Sequence, residues 1–148
     1  MRAEPRFMLI LVAMIATLSG CATSGSTTER ANVRLIQSHV ADFNNQDVEG
    51  LVANMAEDFV WVQVDGAETA VEASSAEGLR SGMAGYFKAV PSVRSSLEHI
   101  HASGSYVVAR ERVRWTGGDG QERSQASWSV YEVRDGVIHA VWYFPAEQ

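Results

Sequence analysis

The chain has 148 residues and one cysteine, a length for a single ordinary domain and a cysteine count that excludes an internal disulfide framework. With 46% hydrophobic residues it is neither a disordered chain nor a collagen-like repeat. Twelve basic against eighteen acidic side chains give a net charge of −6, which argues against a general nucleic-acid binder, because displacing counterions from phosphates takes a dense cationic face.

At the N-terminus, Arg2 and Arg6 accompany an uncharged apolar run from Phe7 to Leu18. As a helix that run would rise about 18 Å, short of a hydrocarbon core of about 30 Å. It therefore reads as a signal peptide rather than a membrane-spanning anchor. The run ends in Leu18-Ser19-Gly20-Cys21, which resembles the lipobox of bacterial lipoproteins. The resemblance implies diacylglycerol on the Cys21 thiol, cleavage before Cys21 and acylation, as with palmitate, of the new terminus. Several acyl chains give lasting membrane attachment where one gives only marginal binding. The expected location is the cell envelope. Ala22, standing where inner-membrane lipoproteins have Asp, resembles those sorted to an outer membrane, facing the periplasm, if the host has two membranes. Residues 1–20 are then a leader, 21–28 a lipidated cysteine with a small polar tether, and 29–148 the working domain.

Ser26 and Glu29 have capping-box spacing, and Val33, Ile36, Val40 and Phe43 follow as one face of a helix. Asn44-Asn45-Gln46 breaks it, and Asp47 can cap a short second helix carrying Val48, Leu51, Val52 and Met55. Phe59–Val64 is a β-branched and aromatic strand ending in an Asp65-Gly66 turn. A third helix is expected from about Ser75 to Ala89, with Leu79, Met83, Tyr86 and Phe87 inward and Pro91 beyond its end. Four strands follow: Val93–Ala102, Ser105–Trp115, Glu122–Arg134 and Val137–Phe144. Each is separated from the next by the Gly or Asp that a hairpin turn needs. Helices first and an antiparallel meander after make the class α+β. Three helices on a strongly curved antiparallel sheet would enclose a conical cavity.

Two stretches carry a family resemblance. The helix end Asp42–Leu51 followed by Met55–Trp61, and the final segment from Trp128 to Phe144, resemble the first and last parts of the SnoaL-like families of the nuclear transport factor 2-like superfamily. The resemblance covers about residues 28–145 and implies a cone-shaped α+β fold. Activity does not follow from it, since the superfamily contains cyclases, isomerases, dehydratases and non-catalytic members. Compared without gaps to its ketosteroid isomerases, His39 falls at the donor tyrosine, Gln63 at the carboxylate base and Ser129 near the second donor. Gln63 cannot accept a proton, so that isomerase mechanism is disfavoured, and what remains is a polar pocket without a carboxylate base.

His39 borders the buried stripe of the first helix, where it could serve as acid or base or simply sit hydrogen-bonded at the core edge. Trp61 and Gln63 share one strand face; Ser127, Ser129 and Tyr131 share another; His139, Val141 and Tyr143 a third. By the resemblance these faces meet in the cavity, and aromatic walls with sparse polar groups suit a small, largely apolar ligand. The alternative is an ordinary aromatic core. Trp128 and Trp142 have the opposite parity, where they could pack a homodimer interface or lie beneath loops. His99 and His101 have a spacing that metal sites use, but no carboxylate lies at ligand spacing, so no metal or cofactor is expected. Arg110, Arg112 and Arg114 alternate on one face, as a charged strip paired with Glu98 or Glu122 or as a seat for an anion. Nucleophile elbows and phosphate loops are lacking.

Two functions are carried forward. One is an envelope lipoprotein whose domain binds a small apolar molecule or a partner in its cone, without catalysis. The other is a cyclase, isomerase or hydratase in which His39 moves protons with help from Tyr143, Ser129 or His139.

Overall fold

A computed structural model describes residues 26–145, so the signal peptide, Cys21 and most of the tether lie outside the described residues. The elements are α1 (Thr27–Asn45), α2 (Val48–Ala53), β1 (Met55–Asp65), β2 (Glu68–Ala73), α3 (Ala76–Ala89), β3 (Arg94–Ser103), β4 (Tyr106–Thr116), β5 (Glu122–Arg134) and β6 (Val137–Tyr143). Each helix begins on a polar cap. Ser26 and Glu29 form the expected capping box, at 2.6 and 3.1 Å. Asp47 accepts from the Gly50 N–H and Ser75 from the Gly78 N–H, satisfying donors that a first turn leaves open.

The six strands form one sheet in the order β2-β1-β6-β5-β4-β3, with the helices packed on it. Neighbours are antiparallel except β1 and β6, which run parallel. The sheet is therefore mixed, where a purely antiparallel one was expected. The reason is β6, which returns to the sheet centre beside β1 rather than extending the meander outward. β2 was not foreseen. Its residues are almost all exposed, and only pairing with β1 makes it a strand. Met55, expected on the second helix, instead opens β1 opposite Ile138.

The core lies between helices and sheet, with Ile36, Leu51, Phe59, Val93, Val107, Tyr131 and Ile138 at or near zero exposure. Pairing slips at three places that matter for the site. Glu72 has no opposite residue on β1, Glu98 none on β4, and His139 none on β5. Each slip adds a residue to one strand, bending it and reversing which face the following side chains take.

Candidate functional site

Register brings side chains from four strands into rows on the inner face. Gln63, Tyr143, Ser129 and Ala109 pair across β1, β6, β5 and β4; one row along lie Trp61, Val141, Tyr131 and Val107. Across the opening between this face and helices α1 and α3 lies a pocket of about 570 Å³. Phe43, Leu79, Met83 and Tyr86 line its helical side, and Trp61, Val113 and Trp115 its sheet side. A smaller cavity of about 70 Å³, with Leu51, Met55 and Phe59 in its wall, shares His39, Trp61, Tyr131 and Tyr143 with the first.

The polar centre of the pocket is Glu111. It is 5% exposed and stands on β4 opposite Ser127. Its Oε1 accepts from Ser129 Oγ and from the Tyr131 hydroxyl, both at 2.6 Å. The Tyr143 hydroxyl donates to Oε2 at 3.1 Å and lies 3.2 Å from Oε1. The two phenolic oxygens are 3.0 Å apart. Burial, together with the negative charge of Glu111, pushes both tyrosine hydroxyls well above their ordinary range. They stay protonated at any physiological pH and act as fixed donors to the carboxylate.

His39 stands at the wall edge-on to Tyr131, ring centroids 6.2 Å apart. Burial draws its pKa down from 6.5 to about 4, because nothing beside the ring compensates the charged form. Its Nδ1 and the Nε1 of Trp61 are buried without hydrogen-bond partners. Trp61 in turn lies 5.8 Å from Tyr143, centroid to centroid.

Of the residues expected at a site, His39, Trp61, Gln63, Tyr131 and Tyr143 all line the pocket. Ser129 is fully buried and acts through Glu111 rather than on the open space. His139 does not reach it. The slip in β6 falls on this residue and separates it from the face of Val141 and Tyr143, and its Nδ1 lies 3.8 Å from Asp58 instead. The expected lack of a carboxylate base is overturned by Glu111. On the same strand, the alternating Arg110, Arg112 and Arg114 of the other face are the more conspicuous pattern. The signal that would have found it is the alternation Val107, Ala109, Glu111, Val113, Trp115, in which one acid interrupts an apolar face.

On the outer face, Arg110 and Arg112 both pair with Glu98, Arg114 reaches Ser96 Oγ, and Glu122 accepts from Thr116 rather than from an arginine. His99 stacks on Trp128. Among the described residues no three His, Cys, Asp or Glu side chains converge as a metal-ligand set, and no helix is long and apolar enough to cross a membrane.

A cone-shaped α+β domain with a half-open pocket between helices and sheet is the nuclear transport factor 2-like architecture. The chain belongs to the SnoaL-like domain family, whose profile matches residues 36–141. No curated protein matches it by sequence. Among solved structures it is similar to a cystatin-fold protein from Novosphingobium aromaticivorans, at 25% identity and a TM-score of 0.67, covering 77% of this chain and 97% of that one. It is also similar to TerC co-crystallised with polyporic acid, at 20% identity and a TM-score of 0.64, over 76% of this chain and 89% of that one. A third is an LEH-like epoxide hydrolase of M. tuberculosis, at 17% identity and a TM-score of 0.65, over 79% and 84%.

Proposed function

We propose that the domain binds a small, largely apolar molecule in its cone, with Glu111 as the polar anchor. One observation carries this reading: a pocket with aromatic and aliphatic walls converges on a single buried acceptor, held rigid by Ser129, Tyr131 and Tyr143. A relative of this fold was crystallised with polyporic acid, which agrees with a pocket of this kind. Gly82 gives the test. It sits on α3 in the pocket wall, and a Cβ added there meets nothing within 4 Å. Gly82→Phe should fill the cavity and leave the fold intact, since glycine is the poorer helix former. Native mass spectrometry should find a small molecule on the unmodified protein and not on this variant. A molecule retained by Gly82→Phe would place binding elsewhere.

A second reading is catalytic: cyclase, isomerase or hydratase chemistry in the same pocket. Glu111 favours it, a fixed carboxylate beside hydroxyl donors being an arrangement suited to taking a proton and holding the oxygen that becomes charged. An epoxide hydrolase among the structural neighbours is consistent with such chemistry on this fold. Proton transfer then falls to Glu111, whose carboxylate stands among the hydroxyl donors, while His39, uncharged at neutral pH, has no imidazolium proton to give as an acid. With lactone, enone or steroid-like substrates, Glu111→Gln should lower kcat by about 10²-fold or more, and His39→Ala far less. The reverse order would restore His39 as the proton carrier.

We further propose that Cys21 anchors the domain to the envelope through lipid, on the strength of the charged start, apolar run and lipobox in the sequence. Labelled palmitate should enter the protein and be absent from Cys21→Ser; a labelled serine variant would end this reading.

A further inference from the structure

The oxygens of the pocket centre share few protons. Ser129 and Tyr131 each have one hydroxyl hydrogen, and both go to Glu111 Oε1. The hydrogen of Tyr143 goes to the same carboxylate. A carboxylate donates nothing, and a hydroxyl that has spent its hydrogen is left with lone pairs. The cluster therefore presents acceptors and negative charge to whatever enters. His39 beside it is uncharged at neutral pH and adds no positive counterweight. Among the described residues lining the pocket there is no lysine or arginine, while a second carboxylate, Glu72, is pushed to the wall by the slip in β2. The same pocket is lined by the aromatic side chains of Phe43, Trp61, Tyr86 and Trp115.

A site for an organic anion would need the opposite provision, a guanidinium or ammonium in the wall. A neutral ligand would use the rings but leave the buried charge of Glu111 without a counter-ion. Acceptors and negative charge in a pocket lined by aromatic rings suit a cation, which gains from both a carboxylate and a ring quadrupole. We propose that the cone selects a hydrophobic ammonium, its N–H groups on the oxygens of Glu111, Tyr131 and Tyr143 and its carbon skeleton against Trp61, Trp115 and Phe43. The indole Nε1–H of Trp61, buried without a partner, offers one bond to an acceptor elsewhere on the same molecule. The inference rests on the cone being a ligand site, and it adds the charge of the ligand.

The test uses three molecules of nearly one shape and different charge: naphthylethylamine, naphthylethanol and naphthylacetate. Calorimetric titration of the full chain in detergent should rank the amine about tenfold tighter than the alcohol, with the acetate weakest. In Glu111→Gln the amine should fall to the level of the alcohol, while the alcohol changes little. The ranking on the unmodified protein needs no variant, so it stands even where Glu111→Gln fails to fold. Equal binding of amine and alcohol, or an acetate tighter than the amine, overturns the choice of a cation while leaving the ligand site in place. Failure of all three to bind overturns the ligand site as well.

Discussion

His39 is a side chain whose surroundings change its chemistry. Unfolded, it takes a proton near pH 6.5; folded, only near 4. Between those values the unfolded chain binds more protons than the folded one. Stability should therefore fall as pH drops from 6.5 towards 4, by about 3 kcal/mol in all, and no further below. Urea denaturation across that range should show the decline, and His39→Phe, which keeps a ring edge against Tyr131 without a titrating nitrogen, should remove this part of it. A ring proton resonance titrating near 6.5 in the folded protein would contradict the burial argument. At this same scale the sequence was most informative about aromatic residues and least about Glu111. Alternation grouped Trp61 with Gln63, Tyr131 with Ser129 and Tyr143 with Val141 on shared strand faces, and the family resemblance turned those faces inward. Glu111 sits between Arg110 and Arg112, and an acid flanked by two arginines looks like one member of a solvated strip until the face is followed along the whole strand.

The elements are tied together by side chains at their ends. Asn44, at the C-terminal end of α1, donates to the Ser95 carbonyl at 2.8 Å and accepts from the Ser95 N–H at 2.7 Å. This pair of bonds fixes the helix to the start of β3, near one side of the pocket. Asn44→Ala leaves the backbone groups of a buried residue unpaired and should cost about 2 kcal/mol, read as a lower denaturation midpoint with unchanged slope. At the other end of α1, Glu29 accepts from the Gly104 N–H at 3.1 Å and Asn32 donates to the Gly104 carbonyl at 3.0 Å. Those bonds to Gly104 and Ser26 hold the Glu29 carboxyl below its ordinary value of 4.5. The stabilisation is complete above that value and is lost as pH falls through the lower, folded one. Acid unfolding of Glu29→Gln should lack this contribution, and an unchanged acid limb would show that the contact carries no weight. Helices and long strands could be located from the sequence because capping residues and alternation are local signals. β2 and the slips at Glu72, Glu98 and His139 could not, since they exist only through the strand that lies alongside. His139 was misplaced for that reason.

At the scale of the whole molecule, the sheet has two unlike faces. The inner one carries the pocket, and the outer one combines the Arg110–Arg112–Glu98 pairs with apolar groups, among them Val108 and Trp128 at 38% and 40% exposure. We propose that this outer face joins two copies of the chain, as the parity of Trp128 and Trp142 first suggested. Sedimentation should then give a dimer for the unmodified domain and a monomer for Trp128→Glu, whereas a monomer in both would leave the face free. Pocket and outer face are backed by the same strands, so the dimer would leave the cone open on its other side.

Among the described residues β6 comes last in sequence and yet lies between β1 and β5, so there it alone connects the β2-β1 pair to the β5-β4-β3 group. During synthesis every other strand emerges before the one that joins them. Until Val137–Tyr143 leaves the ribosome, the two groups have no ladder in common, and Tyr143 has not reached Glu111. Without β6 the inner face is divided between two groups that no ladder joins. The two halves of the sheet thus join only when β6 comes between them, and the same strand brings Tyr143 to Glu111.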